Sequence, residues 1–149
     1  MDLTNDMHTL QLINPLEPFH GAKAKSTVQM PGGVALAMPH IELRISPNIV
    51  DQVDCSALLG HLVARLAEFE TVNPAAIKGY QVTIPTYEMG EGAPNGFIHV
   101  TASILSGRPV ELRCEMGQAL HAIVKQEADM HAAGASVEIR EMDKETYFK

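Results

Sequence analysis

Tryptophan is absent, and aromatic residues make up only 5% of the 149-residue chain. A core organised around stacked rings is excluded, so the interior is expected to be aliphatic. Cysteine is nearly absent too: Cys55 and Cys114 stand alone. Two distant thiols make no disulfide framework and match no metal-ligand spacing, which leaves them as core or surface thiols. Basic residues are the minority, 11 against 18 acidic, for a net charge of −7. That balance is a poor footprint for nucleic acid or an anionic membrane surface, although a local basic pocket for a small anion stays open. No apolar run approaches the roughly 18 residues of a membrane span. Asp2 and Asp6 precede any lysine, so the start lacks the basic region of a secretory signal. The expectation is a cytoplasmic protein with no membrane and no nucleic-acid partner.

What is present is ordinary for a soluble domain: 46% apolar and 19% charged residues. The chain divides unequally. Residues 1–38 carry Asn14-Pro15, Glu17-Pro18 and Met30-Pro31-Gly32-Gly33, each a breaker signal, with no sustained period. They read as an N-terminal extension, either a flexible arm or a stretch upstream of the true start. Residues 39–149 read as one regular domain. Translation from Met1, Met30 or Met38 gives three different chains.

From Pro39 the pattern is periodic. His40 to Ile45 alternates as a strand, with Ile41, Leu43 and Ile45 on one face. Asp54 can cap a helix whose stripe is Leu58, Leu59, Leu62, Val63, Leu66 and Phe69, closed by Val72-Asn73-Pro74. Ile77 to Ile84 reads as a second strand. Glu88 to Gly96 is loop chemistry ending in Asn95-Gly96, a hairpin signal. Phe97 to Leu105 is a third strand. Ser106-Gly107-Arg108-Pro109 is a helix entry, with Pro109 at the first helical position and Glu111 in the first turn. Leu112, Met116, Leu120, Ile123 and Val124 form its stripe. Gly134 is expected to close the helix, and Val137 and Ile139 mark a fourth strand.

The order is β-α-β, hairpin loop, β-α-β. The expected fold class is α+β: two βαβ units forming a four-stranded mixed sheet with two helices on one face. The other face is expected to carry many small or apolar side chains, including Val82, Ile84 and Ala102 or their alternates. A bare apolar face calls for a second copy, so an oligomer is expected.

Met38-Pro39-His40-Ile41-Glu42 opening a strand, the βαβ-βαβ order, and Ser106-Gly107-Arg108-Pro109-Val110-Glu111-Leu112-Arg113 entering the second long helix together resemble the tautomerase superfamily. Within it they resemble the 5-carboxymethyl-2-hydroxymuconate isomerase family, over residues 39–149. The resemblance implies a cofactor-free homotrimer with active sites near subunit boundaries, an isomerase acting on an enol or keto acid in the breakdown of aromatic compounds. It also implies that an N-terminal proline amine is the general acid/base.

That role has a strict chemical condition. A free α-amino group ionises near ~7.7–8.0, and burial or a neighbouring cation lowers it further, which suits proton transfer at neutral pH. With residues 1–38 attached, the Pro39 nitrogen is a tertiary amide with neither a proton nor basicity. The functional chain is therefore expected to begin at Pro39, after loss of Met38.

The resemblance makes Arg108 a catalytic, carboxylate-holding residue. It lies beside a helix N-terminus that already favours anions, and its guanidinium fork suits bidentate binding. The plainer reading is a solvated surface arginine, and Arg113 is read as a surface or intersubunit charge. Where the family has arginines in the second strand, this chain has Lys78 and Tyr80. Lysine keeps the charge but not the planar fork, and tyrosine removes the cation. Lys78, Tyr80, His40, Phe97 and His99 are the candidate substrate-binding residues, with Tyr80 and Phe97 as an apolar wall around the proline. Against these stand a strand-surface lysine, an interfacial histidine, a satisfied sheet histidine and ordinary aromatic packing. His61, His121 and His131 have no ligand spacing, so no metal is expected. A second class of function remains: a non-catalytic oligomerising or ligand-binding module of the same fold, with Pro39 blocked by the extension.

Overall fold

Strand β1 (His40–Ile45) sets the frame of the molecule. Its residues alternate strictly, with Ile41, Leu43 and Ile45 buried and His40, Glu42 and Arg44 on the opposite side. Period-two alternation puts the first set against the helices and the second on an open face. The computed structural model describes residues 38–148. The assignment of residues 1–37 to an extension lies outside the described residues.

Helix α1 (Cys55–Ala67) starts where expected: the Asp54 carboxylate accepts a hydrogen bond from the Ala57 N–H at 2.9 Å. That satisfies one of the four backbone donors left unpaired at a helix start. Leu58, Leu62 and Leu66 form its buried stripe. The chain returns through a 3-10 turn at Pro74–Ala76 into β2 (Lys78–Val82), shorter than the expected Ile77 to Ile84. β3 spans Phe97–Leu105, α2 spans Val110–Met130 and β4 spans Gly134–Met142.

The sheet order is β2-β1-β3-β4. β1 pairs parallel to β2 and antiparallel to β3, and β3 pairs parallel to β4, giving the expected mixed four-stranded sheet. Both helices pack on one face through a single, mainly aliphatic cluster that also holds Phe69. Ile98, Val100, Ala102 and Ile104 of β3 meet Leu112, Met116, Leu120, Val124 and Ala128 of α2 there.

Four expectations need correction. Asn95-Gly96 makes no hairpin, because β2 and β3 are not neighbours: β1 lies between them. The connection over residues 83–96 is far longer than the roughly two to five residues of a hairpin loop. The dipeptide docks on the end of β1 instead, where Asn48 Nδ2 donates to Asn95 Oδ1 at 3.2 Å and the Phe97 N–H donates to Ser46 Oγ at 2.9 Å. Gly96 is required there: φ is +94°, and a Cβ would stand 2.4 Å from Ser46 Oγ.

Pro109 is the residue before the helix rather than its first, so its carbonyl accepts from the Arg113 N–H at 3.2 Å. Gly134 opens β4 rather than closing α2. The left-handed stop falls on Ala132, at φ +52°, and the Ala133 N–H turns back to the Ala128 carbonyl at 2.9 Å.

The open face is not small and apolar. Ala102 has the parity of Ile98, Val100 and Ile104 and faces the helices. The open face instead carries Lys78, Tyr80 and Val82 of β2, His40, Glu42 and Arg44 of β1, Phe97, His99, Thr101 and Ser103 of β3, and Ser136, Glu138 and Arg140 of β4. Its charge removes the apolar argument for an oligomer. What remains is a pair of sheet edges, β2 and β4, that no strand covers among the described residues.

Candidate active site

Register places one row of side chains across the open face beside Pro39. His40 is paired with Lys78 on one side and Ser103 on the other, and Ser103 is paired with Arg140. With strands about 4.8 Å apart, Lys78 and His40 stand side by side, and Arg140 lies two strands beyond His40. Pro39 immediately precedes this row. Its ring is fully buried, and its carbonyl accepts a hydrogen bond from the Lys78 N–H at 3.0 Å. Its nitrogen, joined to Met38, is an amide.

His40 is the most tightly held member of the row. Its Nε2 hydrogen-bonds the Tyr147 hydroxyl at 2.6 Å, and the rings meet edge-on with centroids 5.7 Å apart. Tyr147 arrives on the C-terminal tail. The turn after β4, closed by the Asp143 carboxylate accepting from the Glu145 N–H at 2.9 Å, sends the chain back over the sheet. Burial lowers the His40 pKa, and the Lys78 charge lowers it further. Both effects favour the neutral imidazole.

The next row is acidic, with Glu42 and Glu138 on either side of Thr101. Glu42 pairs with Arg44 and accepts from the Tyr80 hydroxyl at 3.3 Å. Burial and the Glu42 carboxylate raise the Tyr80 pKa. Glu138 pairs with Arg140 at 2.8 Å. The row beyond holds Arg44 and His99. His99 shares hydrogen bonds with Ser136 Oγ at 2.7 Å and Thr101 Oγ1 at 3.2 Å, so both ring nitrogens are engaged. Burial and then Arg44 lower its pKa.

The residues singled out from sequence do not all converge within the chain. His40 and Lys78 adjoin Pro39. Tyr80 is two residues along β2, 42% exposed and turned to Glu42. His99 pairs with Arg44, about 13 Å of strand from His40. Phe97 begins β3, at the opposite end of the sheet, where its ring meets Tyr87 with centroids 6.2 Å apart. Within the chain, Tyr80 and Phe97 thus form no common wall around Pro39.

Arg108 differs most from its expected place. It is 4% exposed, and all three guanidinium nitrogens donate to the protein itself. Nε donates to Thr71 Oγ1 at 3.1 Å, Nη2 to the Thr71 carbonyl at 2.7 Å and Nη1 to the Leu105 carbonyl at 3.0 Å. Its fork ties the entrance of α2 to the loop before β2. Arg113 pairs with Glu141 at 3.0 Å, bracing α2 on β4. Cys55 is half-buried and Cys114 exposed, both free. Among the described residues no helix is long and apolar enough to cross a membrane.

Sequence reasoning missed Tyr147, Ser103 and Arg140. A 107-residue separation hides the first from any local pattern. The other two become neighbours of His40 only through strand register.

The family model described as 5-carboxymethyl-2-hydroxymuconate isomerase matches residues 39–149. Among solved structures, the chain is similar to a 5-carboxymethyl-2-hydroxymuconate isomerase from Deinococcus radiodurans R1, at 22% identity over 78% of this chain and 91% of that one, TM-score 0.68. It is similar to a 5-carboxymethyl-2-hydroxymuconate delta-isomerase at 13% identity, over 76% and 88% of the two chains, TM-score 0.62. It also resembles a fused 4-OT described as a symmetric trimer, at 21% identity over 70% and 86%, TM-score 0.53. At these identities the structural likeness speaks to the fold. No curated protein matches the chain.

Proposed function

The chain belongs to the 5-carboxymethyl-2-hydroxymuconate isomerase family, and on that premise we propose that it converts a 2-hydroxydienoate-type enol acid to its conjugated keto form. The active chain begins at Pro39, after removal of residues 1–38. The free secondary amine takes the enol proton and returns a proton to carbon. The carrying observation is that the family match starts at Pro39, a buried residue whose carbonyl accepts from the Lys78 N–H and which directly precedes His40. A buried amine beside a lysine charge is a weaker acid-binder than a free α-amino group, which suits neutral-pH proton transfer.

Lys78 holds the substrate carboxylate and draws off charge as the dienolate forms. Arg140 adds a second cation on the same row, partly neutralised by Glu138. His40 supplies a hydrogen bond. Arg108, committed to Thr71 and Leu105, holds the loop that frames the site. The enzyme works as a homotrimer. Its β2 and β4 edges and the trimeric fused 4-OT support that reading. A place in aromatic-compound breakdown, which the family resemblance implies, belongs to the same proposal.

The test is the intact mass of the protein from its native gene context, followed by turnover of enol acids. A mass starting at Pro39, with activity abolished by Pro39→Ala, is expected. A mass of all 149 residues with undiminished activity rules out the amine mechanism. The tertiary amide of the full chain favours one other reading, a ligand-binding module. Under that reading neither the full nor the shortened chain turns over enol acids, and deleting residues 1–38 weakens assembly.

A further inference from the structure

The His40–Tyr147 contact joins the residue after the proposed base to the last turn of the chain, and the proton-transfer reading does not require it. A phenol and an imidazole at 2.6 Å form one short hydrogen bond, and a neutral imidazole has only one acceptor nitrogen. The nitrogen that carries the proton is fixed by the bond the other one makes. If Tyr147 donates, Nε2 is the acceptor and the proton must sit on Nδ1. That nitrogen makes no hydrogen bond among the described residues. It is the spare donor of a ring standing beside Lys78 and next in sequence to Pro39.

The charged and titratable groups facing His40 are consistent with a neutral ring. β2 contributes Lys78, and β4 contributes Arg140 with its Glu138. β1 contributes Glu42, which is engaged by Arg44 and Tyr80, and β3 offers only the uncharged Ser103. The Tyr147 hydroxyl carries one O–H donor, which at 2.6 Å can be directed to Nε2.

We propose that Tyr147 is a positioning residue of the Pro39 site: by donating to His40 Nε2 it locks the imidazole in the Nδ1–H form, and that N–H donates to the substrate's developing enolate or carboxylate oxygen. The inference rests on the proline-based reading above. It gives the C-terminal tail a defined duty, which is to aim a neutral donor that would otherwise choose the other tautomer.

The experiment has two arms. In the full chain, two-bond 1H–15N spectra report the tautomer of His40. The wild type is expected to show Nδ1–H at pH 7.5, and Tyr147→Phe to revert to Nε2–H. In the chain starting at Pro39, Tyr147→Phe is expected to lower kcat about tenfold with KM changed less than about twofold, the scale of one hydrogen bond. His40→Asn places an amide donor near the position of Nδ1 and nothing at Nε2. In that background, Tyr147→Phe is expected to have no further effect. An Nε2–H wild type, a tautomer unmoved by Tyr147→Phe, or an additive loss in the double variant overturns the proposal. An active wild type with an unaffected Tyr147→Phe variant does the same while leaving the proline reading intact. A wild-type chain with free Pro39 and no turnover overturns both the proline reading and the catalytic duty given to His40, and the spectra still decide the tautomer.

Discussion

Removing the Arg108 guanidinium separates a structural arginine from a substrate-binding one. Three of its N–H groups donate to Thr71 Oγ1, the Thr71 carbonyl and the Leu105 carbonyl at 2.7 to 3.1 Å, in a residue only 4% exposed. Hydrogen bonds from a charged donor contribute about 1.5–3 kcal/mol each. The sum overstates the loss, because Arg108→Ala also removes a charge whose burial is costly, and water can enter to rebind the carbonyls. Burial lowers the Arg108 pKa, with Glu141 partly opposing, which registers that desolvation cost. A net loss of about 2–4 kcal/mol is expected. For a domain near this size, each kcal/mol moves the melting point by about 4 °C, so Tm should fall by roughly 8–16 °C. Arg108→Lys keeps the charge but reaches fewer acceptors, and about half that loss is expected. Thermal melts with urea titrations measure this, alongside kcat/KM well below the melting range. The structural reading expects large stability losses with turnover in surviving folded protein changed only a few-fold. A variant that melts within 2 °C of wild type on the order of experimental error, with turnover collapsed, would refute it and return Arg108 to the substrate.

Gly96→Ala should destabilise by about 2 kcal/mol or more in urea, since φ is +94° and the new Cβ meets Ser46 Oγ and Asn48 Oδ1. Leu62→Ala, at a fully buried position of α1, should cost about 2–5 kcal/mol by the same assay. Asp54→Ala removes the cap on Ala57 and should cost about 1 kcal/mol, with α1 fraying first in hydrogen exchange. His40 and His99 both have folded pKa values below the ordinary histidine value of 6.5. The unfolded chain therefore binds more protons, so their stabilising contribution is present above that value and is lost as pH falls through the folded values. Urea midpoints should drop on acidification, and His99→Gln should reduce the slope. An unchanged slope would place the proton uptake elsewhere.

Much of the fold was legible because the strands and helices bury one face each. Ile41, Leu43 and Ile45 against His40, Glu42 and Arg44 is a pattern that only a half-buried strand satisfies. Leu58, Leu62 and Leu66 behind an Asp54 cap is its helical counterpart. The errors have a common cause. Asn95-Gly96 is real turn chemistry, and its positive φ is used, but local chemistry cannot say whether the next strand pairs with the previous one or with one from earlier in the chain. Gly134 likewise failed as a helix stop because Ala132 took the left-handed position, and Gly134 instead begins the strand that β3 pairs with.

The candidate site was less legible, because its row is assembled by register and not by spacing. Lys78 meets His40 through a parallel pairing, Ser103 through an antiparallel one, and Arg140 through a third. A shift of one residue in any of them would send those side chains to the helix face. Arg108 shows the converse. Its position after the third strand and before a helix suits an anion ligand, and the same position lets a long side chain fold back onto Thr71. Burial decides between those uses, and burial depends on where the loop before β2 passes, which no motif around Arg108 encodes. The charge pattern of the open face follows from the same register: cations at Lys78 and Arg140, acids at Glu42 and Glu138, and a cation again at Arg44. A ligand carboxylate therefore meets cations on the row beside Pro39 and again on the Arg44 row, with the acidic row between them repelling it. That restricts where an anionic substrate can lie more tightly than any single residue does.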